Sequence, residues 1–322
     1  MKVLVCGGAG YIGSHMVKML HARGHEVVVF DNLSSGHRWA VKWGALFEGD
    51  LLNPAHLAAV FAAHRFDLVM HFSAKSLVGE SVTHPAIYYA NNVTGTWNLL
   101  EAMRAAGVDR FIFSSTAAIF GNPVTEAIAE DHPKAPINPY GKSKLMVEQM
   151  LADYASAYGI NSVSLRYFNA AGADPDGELG EEHEPETHLI PNVLKAALGK
   201  GNGLKLFGDD YPTRDGTCVR DYIHINDLAK AHLLAAEYLE RHAGCHAFNL
   251  GNGQGFTLME VLAAAERVAG RAIPYEKAPR RAGDPAVLVA DSRRARAELG
   301  WTPEYPDIEA IIATAWGWHR GR

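Results

Sequence analysis

A tyrosine and a lysine four residues apart, Tyr140 and Lys144, stand in the segment Asn138-Pro139-Tyr140-Gly141-Lys142-Ser143-Lys144. On a helix that spacing puts both side chains on one face. A phenol titrating at about 10 is a poor base at neutral pH, and a neighbouring ammonium favours its ionised form. Alone, such a pair is equally an exposed contact with no chemical role. Its meaning depends on what surrounds it. Thr116 ends the run Phe111-Ile112-Phe113-Ser114-Ser115-Thr116, where a hydroxyl can orient an oxygen that Tyr140 deprotonates. Ser114 and Ser115 have a simpler reading as small polar residues bonding locally at a strand exit.

Gly7, Gly8, Gly10 and Gly13 follow an apolar run and precede a helical pattern. Glycines mark any tight turn, but Gly8-x-Gly10-x-x-Gly13 between strand and helix allows a pyrophosphate to approach main-chain amides at the helix start. Asp31 stands eighteen residues beyond Gly13, at the end of the second strand. A carboxylate there accepts bonds from adenine-ribose hydroxyls and repels a 2'-phosphate, which favours NAD over NADP. The positive ring of NAD would add to the charge favouring a Tyr140 phenolate. Asn32, Ser35 and Gly36 follow Asp31 and suit the adenosine end. Asp50 and Leu51, read as closing the third strand, suit the adenine amino group, although a surface-loop aspartate has the same signature.

The elements that must position these groups alternate. Strands are expected at 2–6, 26–30, 45–48, 67–72, 110–114 and 161–166, with helices at 12–23, 54–64, 83–106 and 143–158. That order implies βαβ crossovers and a mostly parallel sheet flanked by helices, an α/β Rossmann-type fold. After Asn169 the regularity stops, and residues 170–187 are rich in Gly, Pro, Asp and Glu. Helices near 191–198, 226–240, 257–269 and 308–319 and strands at 204–207 and 246–250 follow. The expected division is a nucleotide-binding domain over 1–169 and a smaller C-terminal α/β substrate lobe over 170–322, with some late segments free to rejoin the large sheet.

A chain of 322 residues with 48% hydrophobic and 20% charged residues has the composition of a folded globular protein. Its formal net charge of -6 gives no electrostatic reason to bind nucleic acid or an anionic membrane. Three scattered cysteines, Cys6, Cys218 and Cys245, fit a reducing compartment, hence a cytoplasmic protein, and carry no metal-ligand spacing. The apolar stretch Lys2 to Cys6 is too short for a signal sequence or a membrane span.

Together these residues resemble the extended short-chain dehydrogenase/reductase superfamily and, within it, the UDP-glucose 4-epimerase (UDP-galactose 4-epimerase) family. The resemblance covers nearly the whole chain. It runs through Gly7-Gly8-Ala9-Gly10-Tyr11-Ile12-Gly13-Ser14-His15, Asp31-Asn32-Leu33, His71-Phe72-Ser73-Ala74-Lys75, Val78-Gly79-Glu80-Ser81 and Asn91-Asn92-Val93. It continues through the Tyr140 segment, Arg166-Tyr167-Phe168-Asn169, Val219-Arg220-Asp221-Tyr222-Ile223-His224 and Arg281-Ala282-Gly283-Asp284.

The resemblance implies a catalytic triad of Thr116, Tyr140 and Lys144. It implies that Gly7, Gly10, Tyr11, Ile12, Gly13, Phe72, Lys75 and Asn91 join Asp31 and its neighbours around NAD. Asn169, His188, Leu189, Arg220, Arg281 and Asp284 would hold the UDP portion of a UDP-sugar. Lys75, Thr116, Tyr140 and Leu288 would face the sugar. His188 stands where some members carry an asparagine against the diphosphate, and Leu288 where others carry a tyrosine or a small residue. For Arg220 alone, a surface ion pair would be the usual reading.

The implied reaction is reversible epimerisation at C4 of a UDP-hexose through a 4-keto sugar, with slower turnover of N-acetylated UDP-hexosamines, by a homodimer. A UDP-pentose 4-epimerase is the nearest alternative, since one missing hydroxymethyl need not alter the chemical residues. A nucleotide-sugar 4,6-dehydratase needs an additional acid, and Ala117 and Ala118 after Thr116 supply none. A catalytically silent NAD-binding regulator is the alternative from a different class, and Tyr140 with Lys144 argues against it.

Overall fold

The computed structural model describes residues 1–201, 203–281 and 284–322. Its framework is a seven-stranded sheet. The strands are β1 (Lys2–Cys6), β2 (Glu26–Asp31), β3 (Ala45–Glu48), β4 (Leu68–His71), β5 (Arg110–Thr116), β6 (Asn161–Tyr167) and β11 (Cys245–Leu250). They lie in the order β11-β6-β5-β4-β1-β2-β3, and every neighbouring pair is parallel. Runs such as Val3-Leu4-Val5-Cys6, with no solvent exposure, have the composition of strands covered on both faces.

Helices α1 (Tyr11–Ala22) and α8 (Ile225–Tyr238) cover one face around Val5, Leu20, Leu228 and Phe248. Helices α2 (Pro54–Ala63), α5 (Gly95–Ala106) and α6 (Pro139–Tyr158) cover the other around Leu57, Leu99, Phe113 and Val147. The strand order reverses between β1 and β4. At such a switch point the flanking loops diverge and open a crevice beyond the C-terminal strand ends.

The smaller lobe has a core of its own, with α7 (Leu189–Ala197), α9 (Leu258–Ala269) and α11 (Ile308–Arg320) packed through Leu194, Val261 and Ile312. Its strands are short. β7 (Asn169–Ala171) pairs with β10 (Tyr222–His224), and β8 (Leu204–Phe207) with β13 (Tyr275–Ala278). β9 (Val219–Arg220) lies between β12 (Phe256–Thr257) and β14 (Val287–Leu288). Residue 169 therefore does not divide the lobes in space. α8 and β11 return to the large sheet, while α10 (Arg293–Leu299) packs beside them.

Two expected helices begin elsewhere. The segment expected from Thr83 starts at Pro85 as α4 (Pro85–Tyr88), and a separate α3 (Val78–Thr83) precedes it, the two parted because proline cannot donate to the preceding turn. A π-helical stretch, Tyr89–Thr94, then carries Asn91 and Asn92 into α5. α6 begins at Pro139, four residues before the expected Ser143. Asn138 caps it, accepting a bond from Gly141 N at 2.8 Å, and proline suits the first helical position because no partner is needed there.

Candidate active site

A cleft of about 1640 Å³ runs from the glycine-rich turn to the smaller lobe. Its volume exceeds the roughly 300–1,000 Å³ of a site for one small ligand and suits two ligands end to end. At one end the turn after β1 is shaped by close main-chain approach. A β-carbon on Gly13 would collide with the Gly7 carbonyl, and one on Gly7, at φ 81°, would meet the backbone of Phe72 and Ser73. Gly10 precedes α1 without a side-chain cap, and no acidic residue occupies the first turn. The helix start therefore keeps main-chain donors and positive polarity for a diphosphate. Asp31 closes β2 and accepts from Ala9 N at 3.0 Å and Leu33 N at 2.8 Å, which fixes the carboxylate on the cleft wall. Burial pushes its pKa above the ordinary value, and those two amides pull it back. These features fit a dinucleotide.

Asn32, Ser35 and Gly36 continue that wall. Asp50 and Leu51 also line it, but β3 ends at Glu48, so they belong to the following turn. Asp50 already accepts from Asn32 Nδ2 at 3.2 Å and Leu52 N at 2.8 Å. Tyr11, Ile12, Phe72, Lys75 and Asn91 complete this end. Neither residue type nor spacing singled out Asn92. Buried at the π-helical stretch, it bonds the Lys75 main chain on both sides and donates to Ser143 of α6 at 3.1 Å.

At the centre, Thr116 ends β5 while Tyr140 and Lys144 face the cleft from the first turns of α6. Gly141 explains the closeness of these elements, because a β-carbon there would collide with the Ala118 carbonyl. Lys144 is buried and donates to Ser114 O at 2.8 Å. Burial lowers its pKa to about 7, with Glu148 pulling upward. Burial raises the Tyr140 phenol, with a bond to Thr116 acting against it. In the protein alone, burial opposes the charged form of both groups. Beneath them, Glu148 receives Arg166 in a two-pronged bond, at 2.9 and 2.6 Å, and Ser115 Oγ at 2.6 Å. Tyr167 joins the cleft through a hydroxyl contact with Ser114.

At the far end the structure gathers Asn169, His188, Leu189, Arg220, Arg281, Asp284 and Leu288 from separate segments. Arg220 pairs with Asp284 and also donates to Val219 O at 2.7 Å. The Arg281 guanidinium lies 4.2 Å from the Phe207 ring centre. Ala282 and Gly283 lie outside the described residues. Asn169 donates to Asp221 O at 2.9 Å, and His188 Nδ1 is engaged by Glu181. Leu288 both lines the cleft and packs beside Ala117, Phe120 and Ile128.

The organiser of this end is Asp221. Its carboxylate accepts from Asn252 N at 2.8 Å, Gly253 N at 3.0 Å and Ala290 N at 3.0 Å, joining β9 to the β11 exit and the β14 exit. Burial raises its pKa to about 6 despite those donors. Aspartate immediately after Arg220 was visible in the sequence, but its long-range partners were not.

The model of the NAD dependent epimerase/dehydratase family matches residues 3–251. The UDP-glucose 4-epimerase of Rhizobium meliloti is 53% identical over 321 residues, which is 100% of this chain and 98% of that protein. The structure of UDP-glucose 4-epimerase from Brucella ovis in complex with NAD superposes with a TM-score of 0.95 at 51% identity, covering 98% of this chain and 97% of that one. The Bifidobacterium longum UDP-glucose 4-epimerase, in complex with NAD+ and UDP, has a TM-score of 0.95 at 39% identity, covering 100% and 99%.

Proposed function

Because the chain belongs to the NAD dependent epimerase/dehydratase family, we infer that it catalyses reversible C4 epimerisation of UDP-glucose and UDP-galactose. The observation that carries this reading is one continuous cleft joining the glycine-rich turn, the Thr116–Tyr140–Lys144 group and the Arg220–Asp284 end.

NAD, bound along the glycine-rich turn, would supply a reversible hydride acceptor for the sugar C4 and positive charge beside the phenol. Tyr140 takes the sugar 4-hydroxyl proton during oxidation and returns it during reduction. Thr116 orients that oxygen, and Lys144 holds positive charge near the phenol and a ribose hydroxyl. The arginine forks of Arg220 and Arg281 suit the UDP diphosphate. Asp284 suits ribose hydroxyls, with Asn169, His188 and Leu189 beside them. Holding the substrate by its remote UDP keeps the 4-keto sugar bound while its ring turns over.

Leu288 is placed to limit the sugar's C2 substituent, giving UDP-hexoses preference over N-acetylated forms. A homodimer would cover Trp97 on α5 and Met146 on α6, which are 49% and 41% exposed. Among the described residues, no helix is long and apolar enough to cross a membrane. The three cysteines are free, which supports a cytoplasmic setting.

The test is UDP-galactose with NAD-loaded protein and no added reductant, for wild type and Tyr140→Phe. UDP-glucose should form with wild type and slow by at least ~100-fold in the variant, while NAD and UDP binding persist. Near-normal turnover in the variant would remove Tyr140 as the base.

A further inference from the structure

Beside the cleft, four side chains within eight residues converge: Glu181, His183, Glu186 and His188, spaced Glu-x-His-x-x-Glu-x-His. One donor atom from each lies within 4.8 Å of all the others. His183 Nδ1 is 3.3 Å from Glu181 Oε1 and 3.7 Å from Glu186 Oε2. His188 Nδ1 contacts Glu181 Oε1 and lies 3.8 Å from Glu186 Oε1. A tetrahedral ion with bonds of about 2.0–2.1 Å holds its donors roughly 3.3 Å apart.

Burial and unmet bonding point to a ligand rather than to self-contained ion pairs. The Glu181 and Glu186 side chains are only 4% and 3% exposed, and among the described residues their ion-pair partners are histidines alone. Glu186 Oε2 and His183 Nδ1 are buried without a hydrogen-bond partner, although both face this centre. The neighbouring trio Asp174, Asp176 and Glu178 is different. Lys18 Nζ reaches all three at 2.7, 2.9 and 2.7 Å, so the chain supplies that cluster's cation.

We propose that Glu181, His183, Glu186 and His188 bind one divalent ion of the zinc class. Two imidazoles with two carboxylates suit zinc's borderline character, whereas magnesium and calcium prefer oxygen donors throughout. With the ion bound, the carboxylates balance the dication and both histidines coordinate as neutral imidazoles. Coordination through Nδ1 leaves the proton on Nε2 of His188, the residue on the substrate wall.

The ion's work is structural. The strap it closes lies against the cofactor half, with the His183 ring 6.3 Å from that of Tyr11 and His37 Nε2 3.1 Å from Glu182 O. Trp318 of α11 donates to Glu181 O at 3.3 Å. Fixing the strap fixes His188 and Leu189, which open α7 at the substrate end.

The test uses the NAD-loaded full chain, dialysed against zinc, gel-filtered and analysed for metal beside His183→Gln and Glu186→Gln. Wild type should retain about one zinc per chain and both variants less than about a tenth of that. Zinc should also raise the melting temperature of chelator-treated wild type, a readout that needs no variant. Equal zinc in variants and wild type would overturn the assignment, as would wild type that retains none and melts identically with and without zinc.

Discussion

Along its cofactor end the cleft wall is largely main chain, whereas at its substrate end it is assembled from side chains. Gly7, Gly10 and Gly13 form a turn whose spacing leaves no room for β-carbons at Gly7 or Gly13, and Asp31 is pinned to it by the Ala9 amide. Across the cleft, Arg220, Arg281, Asp284 and Leu288 come from short strands and loops. Three amides meeting on Asp221 hold much of that end together. A main-chain wall tolerates little substitution and suits a constant ligand, while a side-chain wall can be retuned residue by residue to a different sugar.

The strongest way to break this contrast is Gly13→Ala. The new methyl would press on the Gly7 carbonyl and move α1 from the turn. Overpacking of this kind reaches ~3 kcal/mol, so NAD binding should weaken by about 100-fold. Calorimetric titration with NAD decides it, and an unchanged affinity would show that the turn is looser than its packing implies.

The centre sharpens the contrast because its polar groups sit in a dry setting. Lys144 has its pKa lowered by burial to about 7, so the folded chain holds that proton less tightly than the unfolded chain does. The resulting cost to stability is full below about pH 7 and shrinks as pH rises toward the ordinary lysine value. Lys144→Met should therefore stabilise the NAD-free protein, by roughly 1–3 kcal/mol more at pH 6 than at pH 9. Denaturant titrations at both pH values check the sign. A gain that grew with pH would mean that Lys144 is not desolvated.

The smallest expected effect falls on the adaptable wall. Leu288→Ser should raise kcat/KM for UDP-GlcNAc relative to UDP-glucose by about tenfold, and Leu288→Tyr should lower that ratio. Both variants should stay folded. If both lose stability and neither moves the ratio, Leu288 serves the Ala117–Phe120 packing instead.

Legibility in the sequence followed the same divide. β1, β2 and β5 were readable to within two residues because buried parallel strands leave apolar runs. Lys2–Cys6 and Gly13 together signalled the turn, and Tyr140 with Lys144 needed only helical spacing. The two-residue strands β9, β12 and β14 were not readable, since they are too short to show any period. Nor did sequence show that Arg220 would meet Asp284, sixty-four residues away, or that Asp221 would gather Asn252, Gly253 and Ala290. Those contacts depend on chain segments brought together only by the fold. The early start of α6 was recoverable in principle, because Asn138-Pro139 is a capping signal.

The most direct measurement of the central claim uses UDP-galactose deuterated at C4 of the sugar, NAD-loaded protein and no added reductant. UDP-glucose should keep its deuterium at C4, with no net accumulation of NADH, because the hydride returns to the carbon it left. Product that has exchanged its C4 deuterium for solvent hydrogen would contradict it, as would a stoichiometric release of NADH.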